Sequence, residues 1–335
     1  MITKKHRVLK VMDKTAIKKS NVSQGVRKII VEPDYSGQRL DNYLQRELKG
    51  VPKSRIYRII RKGEVRINGK RVQASTRLVA GDKLRVPPIR KSIKSPTRQV
   101  KLNLEKTIIY ENNIIIIINK PPGIAVHGGS GISMGVIETL RANYPTNCSL
   151  ELVHRLDRDT SGCLMIAKNR RYLKALQVAL RSTSVINKHY RAIVHGNWPR
   201  RLVSIEAPIA KNVLSSGERI SRVSESGKVA KTEFNVLARG AGLTLLAVKA
   251  ITGRTHQIRV HCSHAKHPIV GDTKYGDSDE DKRLAQTLGF SRLLLHAERL
   301  EVPAIEDFPG FCVKAPQGER FSKILEYISA ENTKL

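Results

Sequence analysis

Pro87-Pro88 and the stretch after it most constrain how this chain can fold. Ile89–Leu104 is basic, contains Ser and Thr, and carries another proline at position 96, which is the composition of a linker. Consecutive prolines end a strand or helix because they lack the amide proton that continues it. A chain of 335 residues interrupted there has to build two cores. The expected organisation is a basic arm over 1–28, disordered on composition, a small domain over 29–88, a linker over 89–104 and a large domain over 105–335.

In the small domain, Leu40, Tyr43, Leu44 and Leu48 fall at helical spacing, and Gly50 comes next as a stop. A second helix is expected from Ser54 as N-cap, with Ile56, Ile59 and Ile60 as its apolar stripe and Gly63 as its end. Arg55, Arg58, Arg61 and Lys62 occupy the rest of it, with almost no acidic residue to balance them before Glu64. A charge run by itself usually marks a solvated face. On a short unbroken helix it also suits phosphate contacts, which position a protein without reading sequence. Val65-Arg66-Ile67 alternates like a strand, Asn68-Gly69 signals a hairpin turn, and another strand is expected at Lys83–Val86.

In the large domain, Thr107–Tyr110 and Ile114–Asn119 bracket a turn and predict a hairpin. Helices are expected at Gly135–Asn143, Arg171–Ser182, Gln257–Ala265 and Glu319–Ser329. Strands are expected near Tyr190–His195, Thr232–Ala238 and Leu243–Ile251. Hairpins and helices interleave without a regular βαβ rhythm, which predicts an α+β fold with a largely antiparallel sheet.

Leu152–Gly162, LVHRLDRDTSG, sets an imidazole, a guanidinium, two carboxylates and two hydroxyls between two strand-like apolar segments. Side chains this dense in a loop suit catalysis. They equally suit an Asx turn built on Asp157 or Asp159; spacing alone does not separate the two. His256, His261, Cys262, His264 and His267 offer zinc-ligand types, but at spacings that match no common zinc module.

Sixty-one Lys and Arg stand against 29 Asp and Glu, a net charge of +32 that implies a polyanionic partner. The cations are spread along the whole chain and no apolar run is long enough to span a bilayer, which favours RNA over a membrane. Met1–Lys28 has no hydrophobic stretch like that of a secretory signal. Four cysteines without a CxxC pair read as reduced thiols of a cytoplasmic protein. There is no GxxxxGK[ST] or GxGxxG, so no nucleotide cofactor is expected.

HRLDRDTSG at His154–Gly162 closely resembles the active-site motif of the RNA pseudouridine synthases, in the branch typified by ribosomal large subunit pseudouridine synthase C (RluC/RluA). NKPPGIAVHGG at Asn119–Gly129, KHYRAIV at Lys188–Val194, GRTHQIRVH at Gly253–His261 and LLLHA at Leu293–Ala297 resemble further motifs of that family, in the family's order. The resemblance runs from about Gly37 to the C-terminus, and the small domain resembles the RNA-binding domain of ribosomal protein S-four. It implies a mixed sheet flanked by helices with an RNA cleft across it. It also implies isomerisation of uridine without metal or cofactor, and 23S ribosomal RNA as the partner of a monomeric enzyme. Transfer RNA is the alternative substrate, and a non-catalytic RNA-binding assembly factor the alternative function.

The same resemblance implies roles for particular residues. Asp157 would be the catalytic carboxylate, as nucleophile or base. Tyr190 would stack on the extruded uracil, and Arg259, with Arg254 as second choice, would pair with Asp157. Arg155 would enter the space left by the flipped base or hold the flanking backbone. Leu295 would pack under the base, and His127 with its glycines would contact phosphate. Asp159 keeps the turn role.

Overall fold

In the computed structural model, residues 25–48, 50–89, 104–128, 134–144, 149–182, 185–213, 219–289, 291–305 and 308–332 are described. The chain divides into two compact units, residues 1–97 and 98–335.

The small unit comprises β1 (Arg27–Ile30), α1 (Leu40–Glu47), α2 (Lys53–Arg61), β2 (Arg66–Ile67), β3 (Lys70–Arg71) and β4 (Lys83–Val86), with sheet order β1-β4-β2-β3. Leu40 and Leu44 of α1 meet Ile56, Ile59 and Ile60 of α2 over Leu84 and Val86, so the helical spacings translate directly into one core. Asn68 and Gly69 take positive φ of 51° and 80°, as a two-residue hairpin turn requires. Three boundaries differ from the sequence reading. Helix α2 starts at Lys53 behind Pro52, without a side-chain cap, so Ser54 lies inside its first turn. The fixed φ of proline supplies the entry geometry instead. Arg27 and Lys28, expected in the arm, pair with Val86 and Arg85 as part of β1. Their charge hid a strand held by backbone pairing. Ile89 and Leu104, the ends of the expected linker, are buried in their respective units. Residues 1–24 and 90–103, where the rest of the arm and linker were expected, lie outside the described residues.

The large unit is built on a sheet of β5 (Ile108–Glu111), β6 (Ile115–Lys120), β7 (Glu151–Leu152), β8 (Ser161–Ala167), β9 (Asn187–His195), β10 (Ser204–Glu206), β13 (Lys231–Gly240), β14 (Leu243–Ala250), β15 (Leu295–Val302) and β16 (Phe311–Lys314). Its order is β10-β13-β14-β9-β15-β8-β6-β5, with β16 on β15 and β7 on β8. Among the described pairings only β15–β8 is parallel, so the sheet is mixed and largely antiparallel. Helix α3 (Val136–Asn143) covers one face of β6 and β8, and α4 (Arg170–Arg181) covers the other. That is why Ile114–Ile118 and Cys163–Ala167 read as continuous apolar runs: a strand buried on both faces has no polar alternation. Helix α7 (Glu319–Asn332) lies against β13 and β14 through Ile324 and Ile328.

A separate hairpin, β11 (Ile209–Val213) with β12 (Arg219–Val223), and the helices α5 (Gln257–His264) and α6 (Ser278–Leu288) complete the unit. The hairpin and α6 were not foreseen, because α6 is nearly all polar and the hairpin carries little alternation. Helix α6 nevertheless has a strong local start, since the Asp277 carboxylate accepts from the amides of Asp279 and Glu280.

Candidate active site

The loop between β7 and β8 carries His154, Arg155, Asp157 and Asp159. Gly162 lets β8 run close behind it: at φ +109° it faces the Ala297 carbonyl of β15, and a Cβ there would come within 2.2 Å of that oxygen. The loop is held from two sides. Nε2 of His154 accepts the Met165 amide at 3.1 Å, and burial, reinforced by Lys188, pushes this imidazole down to about 4, so it is neutral in the folded protein. Lys120, at the end of β6 and fully buried, donates from Nζ to the carbonyls of Pro121 at 2.7 Å, Ile124 at 3.0 Å and Arg158 at 2.8 Å. Burial pushes Lys120 down to about 7. Three carbonyl acceptors match the three protons of an ammonium, so the surroundings are built for the charged form. The motif at Asn119–Gly129 contains this lysine, but nothing in it pointed to a buried role, because a Lys beside Pro121-Pro122 reads as exposed.

Asp157 sits half-buried in a cavity of about 540 Å³. Arg155, Lys188, Tyr190, Arg254, His256, Arg259 and Leu295 line the same cavity. Lys188 and Tyr190 are two apart on β9 and so share one face of the strand. The Arg259 guanidinium, on the first turn of α5, donates to Asp157 at 3.1 Å and to both oxygens of buried Asp272 at 2.7 Å each. Asp272 also accepts from the amides of Lys274 and Tyr275. Burial opposes the charge on Arg259, but Asp272 and Asp157 outweigh it and hold its pKa above the usual arginine range. Asp272 was missed: it lies between the motifs at Gly253–His261 and Leu293–Ala297, and only the turn after α5 brings it under Arg259. On Tyr190, burial and the charge of Asp157 push the phenol well above its ordinary value, so it is protonated.

Arg155 is exposed, and its guanidinium makes no hydrogen bond or ion pair among the described residues. Arg254 does not take the pairing with Asp157; its Nε donates to the Val229 carbonyl at 2.9 Å while its side chain borders the cavity. His127 is not brought to the cavity. Its Nδ1 faces the Gly128 carbonyl at 2.9 Å, and the adjoining loop residues 129–133 lie outside the described residues. Asp159 does not close an Asx turn on nearby amides; it pairs with the Arg158 guanidinium at 3.1 Å. Arg55, Arg58 and Arg61 of α2, and Lys62 at its C-cap, are exposed.

The histidine cluster is dispersed. His261 contacts Thr232 Oγ1 at 2.8 Å and the Ala207 carbonyl at 3.1 Å, occupying both ring nitrogens. His267 Nδ1 contacts the His195 carbonyl, and no group of three potential ligands gathers among the described residues. Cys163 and Cys262 are buried and unpaired; burial pushes the Cys163 thiol up to about 12 and that of Cys262 higher. Cys148 lies outside the described residues.

The chain is similar to known proteins along most of its length. The pattern of the RNA pseudouridylate synthase family matches residues 114–264, and that of the S4 domain matches residues 38–84. Ribosomal large subunit pseudouridine synthase C of Escherichia coli (strain K12) is 47% identical over 307 residues, covering 90% of this chain and 96% of the relative. The chain belongs to the RNA pseudouridine synthase family. The protein of the same name from Haemophilus influenzae is 52% identical over 281 residues, covering 82% of this chain and 87% of the relative. Among solved structures, human RNA pseudouridylate synthase domain containing 4 superposes with a TM-score of 0.56 at 26% identity, over 69% of this chain and 95% of its own. As a pseudouridine synthase, the chain is an RNA isomerase with an S4 domain ahead of its catalytic unit. No helix among its described residues is long and apolar enough to cross a membrane.

Proposed function

We propose that this pseudouridine synthase isomerises particular uridines of 23S ribosomal RNA, acting as a monomer in the cytoplasm. The observation that carries the reading is the Asp157 carboxylate, half-buried in a cavity with Arg259 at 3.1 Å and Tyr190 and Leu295 on its walls. The names of the relatives, the S4 domain and the net charge of +32 support the substrate.

The reaction breaks the bond from uracil N1 to the ribose and forms one from C5. N1 gains a proton and C5 loses one, so atoms and electrons balance without a co-reactant. Asp157 attacks the sugar or the base, or removes a ribose proton; each route needs a carboxylate held against the flipped nucleotide. Arg259 holds that carboxylate at 3.1 Å. Tyr190 stacks on the uracil and Leu295 packs beneath it. Arg155 fills the space the base has left or grips the flanking backbone, while Arg254 and the cations of α2 contact phosphates.

Pseudouridine mapping in total RNA from a deletion strain tests the reading, with complementation by the wild type and by Asp157→Asn. Sites in 23S RNA are expected to disappear and to return with the wild type alone. Loss confined to transfer RNA would overturn the substrate, and restoration by Asp157→Asn would overturn the site.

A further inference from the structure

His256 is the second group facing Asp157. Its Nε2 stands 3.7 Å from Asp157 Oδ1, the oxygen that does not receive the short Arg259 bond. It precedes α5 with a left-handed backbone, φ 56° and ψ 22°, an unfavourable conformation for a histidine that the surrounding structure has to hold. On its other side, Nδ1 lies 2.7 Å from the hydroxyl of Tyr275, and that hydroxyl accepts the backbone amide of Ser221 in β12 at 2.9 Å.

This chain of contacts selects a proton position. The Ser221 amide can only donate, so the tyrosine oxygen is already an acceptor there, and its own proton is satisfied by pointing at Nδ1. Nδ1 is then the lone-pair nitrogen and Nε2 carries the hydrogen. The opposite tautomer would turn a lone pair toward the Asp157 carboxylate. We propose that Tyr275 locks His256 as the neutral Nε2–H tautomer, making His256 a positioning residue whose N–H faces Asp157 Oδ1 from 3.7 Å and closes on it when RNA is bound, without adding a second cation beside it. Asp157, Arg259, Asp272, Lys274 and Tyr275 all face this imidazole. Burial is the largest influence and, with Arg259 and Lys274, outweighs the two carboxylates, holding the ring below the ordinary histidine value. A neutral donor orients a carboxylate while leaving it more nucleophilic and more basic than an imidazolium would.

The proposal rests on Asp157 being the reacting carboxylate, and its test separates the two. In full-length protein with isotopically labelled histidine nitrogens, His256 is identified by the signal lost in His256→Gln. At about neutral pH it should show a protonated Nε2 and a bare Nδ1. An Nδ1–H tautomer or an imidazolium there would overturn the lock. Tyr275→Phe removes the donor that stabilises the neutral ring. It should lower kcat on the order of tenfold, with KM changed less than about twofold. It should also move the acid limb of kcat to higher pH, because the ring then protonates earlier. Unchanged kcat and acid limb would overturn the role. His256→Gln, whose amide can still donate toward Oδ1, should keep more activity than His256→Ala; equal losses would count against orientation by a donor. An active Asp157→Asn enzyme would sink the catalytic assignment and leave the tautomer measurement standing.

Discussion

Helix α2 and the loop between β7 and β8 both concentrate charge, and they hold it in opposite ways. Arg55, Arg58, Arg61 and Lys62 point into solvent and make no ion pair among the described residues. Around the loop, the carboxylate of Asp157 meets a guanidinium, which is itself gripped by buried Asp272, and the Lys120 ammonium is enclosed by three carbonyls. Exposed cations contribute affinity through counterion release, tolerate imprecise geometry and lose strength in salt. Enclosed pairs are screened little and fail when one partner is removed. The first arrangement suits holding RNA; the second suits placing one carboxylate.

One substitution should abolish the site's work without touching the basic helix. Asp157→Asn should lower single-turnover pseudouridine formation by at least about 10⁴-fold with RNA affinity within about twofold. A variant that binds poorly but turns over bound RNA would reverse the division of labour between the two regions. Salt probes the other side. Affinity should fall on the order of a thousandfold between low and moderate salt. Replacing Arg55, Arg58, Arg61 and Lys62 with Gln should flatten the logarithmic slope by roughly three to four while kcat at saturating RNA stays put. A flat response in the wild type would show that these cations are not a phosphate footprint.

Stability separates the two regions as well. Arg259→Met strands Asp272 in the interior, so unfolding in urea should reveal a loss of about 3–5 kcal/mol, whereas the α2 substitutions should each stay within about 0.5 kcal/mol.

Acid should find the same difference. The His154 imidazole is held down at about 4 from an ordinary 6.5, so the unfolded chain takes up its proton first as pH falls. Its stabilising contribution is therefore complete above about pH 6.5. It is lost on the way down to about pH 4, up to about 3 kcal/mol. Urea unfolding across that range, compared with His154→Gln, measures it; parallel pH profiles would rule the brace out.

The mildest change serves as the internal control. Asp159 is joined to Arg158 by an exposed pair, so Asp159→Asn should cost about 1 kcal/mol or less and keep activity. Inactivity there would mean that the two aspartates of the loop had been assigned the wrong way round.

Much of the fold was legible because it is written in local periods. The spacing of Leu40, Leu44, Ile56 and Ile59 sets the small core, and the unbroken Ile114–Ile118 marks a strand covered on both faces. Helix α6 and the β11–β12 hairpin were illegible because their sequences carry little apolar rhythm and take their place from neighbours. At the site, ordered motifs named Asp157, Tyr190 and Arg259. They also named His127 for phosphate, and its ring faces the Gly128 carbonyl; the turn expected of Asp159 from its residue type makes no amide bond among the described residues, where its carboxylate pairs with Arg158.

The division into two cores, the α+β class, the polyanionic partner and the family could all be read from the order of residues, since each rests on composition, local spacing or motif order. The surroundings of Asp157 could not, and they came from tertiary packing. Asp272 reaches Arg259 from the turn after α5, Lys120 closes on the Arg158 carbonyl from the end of β6, and Tyr275 links Ser221 of β12 to His256. These contacts join residues distant along the chain through strand register and turn geometry. Each depends on where a backbone ends up after the core has packed, and no local pattern of residues encodes that.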